Sequence, residues 1–184
     1  MAKKSGYLDW MKNEMESIIE KLDLNDSQNR FMRSRWLDQV LWMEGKAAKS
    51  QKPYYMLRLI VIIGGIIVPA LVSLQFDPSV QIIIRWITFG LSLCVAISAA
   101  IEGFFHYGER WQHYRSTVEL LKSEGWHFFQ MSGNYRNYAS HSKAYPEFAE
   151  RVENILRQDV QVYIRDIAKE KENKGKSAQG AVSV

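Results

Sequence analysis

Cysteine is almost missing from this 184-residue sequence, which contains only Cys94. A single cysteine excludes an intrachain disulfide and a cysteine-ligated metal cluster. The sequence also lacks the HExxH, phosphate-loop, GxSxG and GxGxxG patterns, and its four histidines are too few and too scattered for a histidine-rich membrane oxidase. These absences argue against an enzyme, and we expect no cofactor.

A secretion signal and a one-sided charge are also missing. Lys3 and Lys4 are followed by acidic residues, without a continuous apolar stretch or a small-residue cleavage site, so we expect no signal peptide. The net charge is +4, but Lys and Arg are mixed with Asp and Glu except beside the apolar blocks. We therefore expect no nucleic acid partner.

Two long apolar runs are present, although the mean hydropathy of −0.26 resembles that of a soluble protein. Residues 57–76 contain one charge, Arg58, and residues 82–105 carry Arg85 and Glu102 near their ends. A helix of about 20 residues crosses the roughly 30 Å hydrocarbon core of a bilayer. Only residues 77–81 separate the runs, so we predict an antiparallel transmembrane hairpin.

Basic residues are distributed unevenly around these runs. Basic residues lie before or at the start of the first run and after the second, whereas the connecting residues 77–81 include no basic residue. The positive-inside rule then places both termini in the cytoplasm, in an inner-membrane, multi-pass protein, although Arg85 near the outer end slightly weakens the asymmetry. The basic residues are Lys46, Lys49, Lys52, Arg58, Arg110, Arg115 and Lys122.

The remaining sequence predicts amphipathic cytoplasmic helices that form a bundle, in an all-α fold. The domains are cytoplasmic N-terminal helices (1–56), the transmembrane hairpin (57–105), cytoplasmic C-terminal helices (106–172) and a disordered tail (173–184). The cluster Asn25, Asp26 and Ser27 ends a first helix and can cap a second, at about 28–50. The apolar stripes are Leu8, Met11, Met15, Ile18 and Leu22, then Trp36, Val40, Met43 and Ala47.

The second transmembrane helix is predicted to continue into the cytoplasm as one rod. No glycine–proline break follows it, and the apolar residues after it keep a heptad-like spacing that only Gly125 interrupts. Ser132, Gly133 and Asn134 would stop this helix. Pro146 suits the first turn of a last helix, which would end near residue 171. The stripe of that helix is Ala149, Val152, Leu156, Val160, Tyr163 and Ile167.

One face of the second span combines polar and small residues at spacings of three and four. Such a face can line a water-filled path in an oligomer. The alternative is close packing through small residues, with charged ends that reach the interfaces, and the series Ala96/Ala100 and Ala99/Gly103 favours packing. The candidate pore-lining residues are Arg85, Thr88, Ser92, Val95, Ala99, Glu102 and His106.

Two acid–imidazole pairs, Glu102/His106 and Glu109/His113, are each one helical turn apart and could bind a metal ion. Two isolated pairs at a membrane exit are more typical of interfacial ion pairs. We therefore predict no metal site.

Two groups of residues, one around the start of the first apolar run and one after the second, carry a family resemblance. They are Trp36, Lys46, Ala47, Tyr55, Leu57 and Arg58, and then Trp111, Tyr114, Arg115, Glu119, Leu121, Lys122 and Glu124. With these residues the chain resembles a bacterial two-transmembrane family, domain of unknown function 4231, of the SLATT superfamily. The resemblance implies an oligomeric helical membrane protein that forms pores or channels, in some systems as a toxic effector tied to nucleotide-signal enzymes and sensors. Unlike the members in such systems, this sequence is expected to have no fused nucleotide sensor.

A candidate structural motif below the membrane consists of Trp111, Tyr114, Arg115, Glu119 and Lys122. In this motif Arg115 can pair with Glu119 or stack on Trp111.

Our leading hypothesis is a homo-oligomeric ion pore of four or more subunits whose second spans surround the axis. The competing hypothesis is a membrane-anchored scaffold that recruits a cytoplasmic partner. The expected partners are further copies of the chain, the lipid bilayer and conducted ions.

Overall fold

The computed structural model describes residues 2–74 and 77–182, with side chains for 6–74, 77, 78, 80–162 and 164. The described residues form helices and no strand, which confirms the all-α class. They divide into two compact units, Glu44–Arg115 and the combination of Met1–Met43 with Ser116–Val184. The α-helices are α1 (Ala2–Glu20), α2 (Asp26–Phe31), α3 (Asp38–Ser73), α4 (Pro78–Phe105), α5 (Tyr107–Phe129) and α6 (His141–Val182).

Two helical stretches are long and apolar enough to cross a membrane, Asp26–Ser73 and Val80–Phe105. Only 11% of the apolar window of the first is buried, and 6% of that of the second. The core helix of a soluble protein would be mostly buried, whereas a lipid-facing helix exposes its apolar side chains. The two candidate spans predicted from the sequence are therefore confirmed as helices that suit a bilayer.

The first span does not begin a new helix. The structure joins α2, a π-helical segment (Met32–Leu37) and α3 without a break, so the helix predicted at about 28–50 continues through Pro53 and Pro69 to Ser73. Asn25 caps the start as predicted, because its side chain accepts a hydrogen bond from Gln28 N at 3.0 Å and Gln28 Oε1 accepts one from Asn25 N at 3.0 Å. Phe76, the predicted last residue of the span, lies outside the described residues.

The core of the unit Met1–Met43 with Ser116–Val184 combines residues of the predicted stripes, such as Trp36 and Val152, with aromatic residues outside them. The rings of Phe128 and Phe148 stack with centroids 4.4 Å apart. On α1 the fully buried residue is Ile19, one position beyond the predicted Ile18, with Met11 and Met15. The largest fully buried side chains are Trp36, Tyr135, Phe128, Phe148, Ile19, Met32, Leu37, Leu121, Val40, Val118 and Val152.

The prediction that the second transmembrane helix continues into the cytoplasm as one rod is wrong. His106 adopts the left-handed conformation, with φ 49° and ψ 45°, between α4 and α5. It ends α4 by donating its backbone N–H to the Glu102 carbonyl at 2.9 Å. A left-handed residue interrupts a right-handed helix. The apolar spacing of the sequence continues on both sides of His106 and therefore does not indicate this break.

The last helix begins at His141, five residues before Pro146, which was expected in its first turn. Pro146 removes the helical donor to the Ser142 carbonyl, and this carbonyl accepts a hydrogen bond from Gln28 Nε2 at 3.4 Å instead. Val152 and Leu156 are buried as predicted, whereas Val160 is 54% exposed.

The C-terminal end of α6 differs from the sequence-based expectation. The backbone is helical as far as Val182, where the sequence predicts disorder over 173–184, and residues 183 and 184 lie outside the described residues. Lysine, alanine and glutamine in this stretch are good helix formers, although Gly175 and Gly180 are not, and the helix continues through both kinds of residue. The side chains of Tyr163 and Ile167, the predicted end of the apolar stripe, lie outside the described side chains.

Candidate functional site in the unit of the two spans

The candidate pore-lining residues of α4 are divided between two environments. Thr88, Ser92, Val95 and Glu102 are half-buried, whereas Arg85 and Ala99 are exposed. The Thr88 hydroxyl donates to the Ile84 carbonyl and the Ser92 hydroxyl to the Thr88 carbonyl, both at 2.8 Å. Each hydroxyl therefore has a partner within its own helix, as polar residues in membrane helices need.

Val95 lies against α3. A Cβ atom added at Gly64 would lie 2.2 Å from Val95 Cγ2, so the missing side chain of Gly64 makes room for Val95. The neighbouring Gly65 has no atom within 4 Å of such a Cβ, so the close approach is specific to one face of α3. Small residues allow this kind of contact between membrane helices.

The small residues of α4 form a surface that the described residues of the chain leave exposed. Ala96, Ala99, Ala100 and Gly103 are exposed, and a Cβ at Gly103 would meet nothing within 4 Å. This small-residue surface and the half-buried polar residues are adjacent on the helix, because Ala99 belongs to both series.

Glu102 and His106 form the junction between α4 and α5. Glu102 Oε1 accepts a hydrogen bond from Gly108 N at 3.1 Å and so caps the N-terminus of α5. His106 Nδ1 lies 3.6 Å from Glu109 Oε2. A carboxylate at a helix N-terminus is stabilised by the unpaired N–H groups there, which gives Glu102 a structural role.

Aromatic side chains surround this junction. The ring of Tyr54 stacks on Trp111 with centroids 6.0 Å apart and an angle of 20°, and Tyr55 meets Trp111 edge-on at 5.6 Å. A Cβ at Gly108 would lie 2.6 Å from Tyr54 Cε2, so glycine permits the approach of this ring. Arg58 donates to the Tyr54 hydroxyl at 2.6 Å and lies 5.6 Å from the centre of its ring.

The predicted structural motif below the membrane makes contacts that its spacing did not indicate. Arg115 Nη1 donates to Glu44 Oε1 at 3.1 Å, and the Glu44 side chain is only 11% exposed. An acidic residue between buried Met43 and Ala47 was the sequence signal for this pair. Trp111 packs on tyrosines, and the His113 and Tyr114 rings meet edge-on at 5.6 Å.

Glu119 and Lys122 of this motif, in the other unit, form an ion pair at 3.6 Å. In that unit Glu124 is buried and receives two hydrogen bonds from Arg151, at 2.6 and 3.1 Å, and one from the Tyr135 hydroxyl. Burial alone would raise the pKa of Glu124, but the hydrogen bonds from Arg151 and Tyr135 outweigh it, so the pKa lies below its usual value. Sequence analysis missed Tyr135 and Arg151.

Metal-ligating groups do not gather in the part of the chain that the structure describes: no three His, Cys, Asp or Glu side chains there could hold one ion. The only cysteine, Cys94, is exposed on α4.

The fold and the site define an all-helical protein with two helices that suit a membrane. The model of the family described as Protein of unknown function (DUF4231) matches residues 38–143. The match covers more than half of the chain and includes both apolar runs, 57–76 and 82–105, and the His106 junction. The chain therefore belongs to this family, as its sequence resemblance predicted. No curated protein and no solved structure matches the chain.

Proposed function

We propose that this protein is a homo-oligomeric ion pore of the bacterial inner membrane, in which the α4 helices of four or more copies surround a water-filled axis. The single observation that carries the proposal is the uncovered small-residue surface of α4 beside Thr88 and Ser92. Membrane helices associate through such surfaces, because lipid provides no hydrophobic drive. The neighbouring polar residues then lie where copies meet.

The topology in this proposal is a hairpin with both termini in the cytoplasm. The contact of Val95 with Gly64 supports packing of α3 against α4, and the short connection between Ser73 and Pro78 favours the antiparallel direction. Lys46, Lys49 and Lys52 are exposed before the apolar part of α3, and residues 77–81 contain no basic residue. This asymmetry supports the orientation through the positive-inside rule.

The oligomer follows from geometry. Two helices cannot enclose a water-filled path, and unsatisfied polar groups facing lipid cost several kcal/mol each. Ala99 is exposed in the single chain, so its surface is available to a neighbouring copy. Arg85, also exposed, would stand at the outer mouth and favour anions there, whereas Glu102 at the inner end caps α5.

The test combines mass and flux. The native mass of the purified complex gives the number of copies, and liposomes with entrapped ions report conduction. Ala99→Phe should reduce ion flux at least tenfold, because a large ring either fills the space between α4 helices or separates the copies. The mass distinguishes these two causes. Ile97→Phe, on the exposed apolar side of the same helix, is the matched control and should conduct normally. A monomeric mass, or no flux from the wild type, would refute the proposal.

The second candidate function is a membrane-anchored scaffold. Trp42 is 50% exposed in an open groove of about 330 Å³ that Arg35, Glu153, Leu156 and Val160 also line. Exposed tryptophan beside arginine is typical of protein-binding surfaces. A scaffold predicts a stable protein partner whose binding Trp42→Ala abolishes, together with a complex that conducts no ions.

The relation to SLATT-type effectors extends the first proposal to a physiological role. An effector pore would stop growth when it opens, because ion leakage collapses the membrane potential. Induced expression of the wild type should therefore depolarise cells, and Ala99→Phe should not. If the wild type and Ala99→Phe both depolarised cells, the toxicity would not depend on a path along α4.

A further inference from the structure

Basic side chains dominate the start of the first span. Residues 45–76 contain Lys46, Lys49, Lys52 and Arg58 and no acidic residue. All four side chains are exposed. Arg58 is the last of them, at the point where the apolar run begins.

Arg58 lies on the lipid-facing side of α3. Met56 and Leu59 beside it are 62% and 56% exposed, and Ile62, one turn further along, is 51% exposed. Apolar side chains with this exposure face acyl chains in a bilayer, so the arginine between them reaches towards the headgroup layer. A lipid headgroup can therefore approach Arg58 without displacing protein.

The guanidinium of Arg58 is held in place. One of its terminal nitrogens donates to the Tyr54 hydroxyl at 2.6 Å, and its central carbon lies 5.6 Å from the centre of the Tyr54 ring. Tyr54 is in turn stacked on Trp111. The fork of an arginine has further donors that can bind two phosphate oxygens together, and a fixed guanidinium loses less entropy when it does so.

We propose that Arg58, positioned by Tyr54 and supported by Lys52, binds the phosphate of an anionic phospholipid at the inner surface of the membrane. The complementary charges carry this assignment: a basic segment without acids meets a negatively charged leaflet. Lys52 is about 9 Å before Arg58 along the helix, a distance similar to the Debye length of about 8–10 Å, so its charge still acts on the same headgroup layer. The proposal rests on the membrane insertion and orientation proposed above, and not on conduction.

The test uses the full chain in nanodiscs of phosphatidylcholine alone and of an equimolar mixture with phosphatidylglycerol. Release into detergent and native mass measurement then count the lipids that stay bound. The wild type should retain phosphatidylglycerol in preference to phosphatidylcholine. Arg58→Gln should weaken this retention about fivefold, the change expected for one basic residue at a charged leaflet.

Two conservative variants separate a positioned site from simple attraction. Arg58→Lys keeps the charge but loses the fork, and Tyr54→Phe keeps the ring but loses the hydroxyl, so both should retain less phosphatidylglycerol than the wild type. Arg30→Gln removes an exposed charge from α2 and should change nothing. Equal retention of the two lipids, or unchanged retention in Arg58→Gln, would overturn the proposal.

An inorganic phosphate arm distinguishes a lipid from a soluble anion. Displacement of the lipid by inorganic phosphate at matched ionic strength would show a site for soluble anions and would also overturn the lipid assignment. The failure of this proposal is distinct from failure of membrane insertion, because an uninserted chain does not elute with phosphatidylcholine nanodiscs. It is distinct from failure of the pore as well, which the flux assay reports.

Discussion

Gly125 lies directly against the indole ring of Trp36: a Cβ atom added to this glycine would be 2.2 Å from Trp36 Cζ2. Trp36 is 1% exposed, and its Nε1 donates to the Leu121 carbonyl at 3.0 Å, one turn before Gly125. The ring is therefore fixed by a hydrogen bond and by full burial. A larger side chain on α5 could displace it only by breaking this hydrogen bond.

Gly125→Ala is expected to destabilise the helical unit that contains Trp36. Alanine would gain up to about 1 kcal/mol as the better helix former, but overpacking a filled core costs about 1–3 kcal/mol. Because the overlap involves ring atoms of a buried tryptophan, we expect the steric cost to prevail. Thermal unfolding followed by circular dichroism in detergent measures the difference.

The control for this substitution is Gly6→Ala. Gly6 lies in α1, and a Cβ there would have no atom within 4 Å. Gly6→Ala should leave the midpoint of thermal unfolding unchanged or raise it. Equal effects at the two glycines would show that the contact with Trp36 does not determine stability.

Glu124 provides a prediction about pH. Burial opposes its ionisation, but hydrogen bonds from Arg151 and Tyr135 lower its pKa below the usual 4.5. A carboxyl group with a lowered folded-state pKa adds stability above its unfolded pKa and loses that stability as the pH falls through the folded value. Glu124→Gln should therefore lower the free energy of unfolding near pH 7, by about 1–3 kcal/mol, because Arg151 loses its charged partner.

The same variant should be less sensitive to acid. Below about pH 4.5 the wild type loses the contribution of Glu124, so the difference from Glu124→Gln should narrow as the pH falls. Unfolding midpoints measured at neutral and acid pH give this comparison. Glu14→Gln, at an exposed position of α1, is the control and should match the wild type at both values. A constant difference between wild type and Glu124→Gln would refute the linkage.

The apolar pattern of the sequence predicted helices and core residues well where burial follows helical period. Trp36, Val40 and Met43 recur at spacings of three and four and are all buried. The two candidate spans followed from length and from the lack of charge, which depend on composition alone. Neither property depends on contacts between distant parts of the chain.

The features that the sequence did not predict depend on a single residue or on distant partners. His106 breaks a helix without glycine or proline, so no local signal marks its left-handed conformation. Arg151 reaches Glu124 across 27 positions. Helical periodicity compares residues within a few turns and therefore cannot show such a contact.

His106 itself makes a prediction that tests the break between α4 and α5. A left-handed residue with a side chain costs about 1–2 kcal/mol relative to the right-handed form, and glycine avoids that cost. His106→Gly should therefore be more stable than His106→Val, because a β-branched side chain is strained most in this conformation. At exposed Gln112, inside α5, the order should reverse, since glycine is the worse helix former there. If the valine variant were the more stable one at both positions, the helix would be continuous through His106.

The contact between Gly64 and Val95 predicts which face of α3 meets α4. Gly64→Ala would bring a Cβ to 2.2 Å from Val95 Cγ2, whereas Gly65→Ala would meet nothing within 4 Å. Overpacking should lower the free energy of unfolding by about 1–3 kcal/mol for Gly64→Ala only. The two glycines are adjacent and both lie within the apolar run, so any general effect of alanine on membrane insertion is the same for both.

A second substitution identifies the partner. Val95→Ala removes the Cγ2 atom that the new methyl group would strike, so Gly64→Ala with Val95→Ala should be more stable than Gly64→Ala alone. The coupling energy from the four variants, measured by thermal unfolding in detergent, isolates this pair from the cost of each change. Additive effects would mean that Gly64 and Val95 do not touch, and the proposed hairpin would then lose the support of this contact.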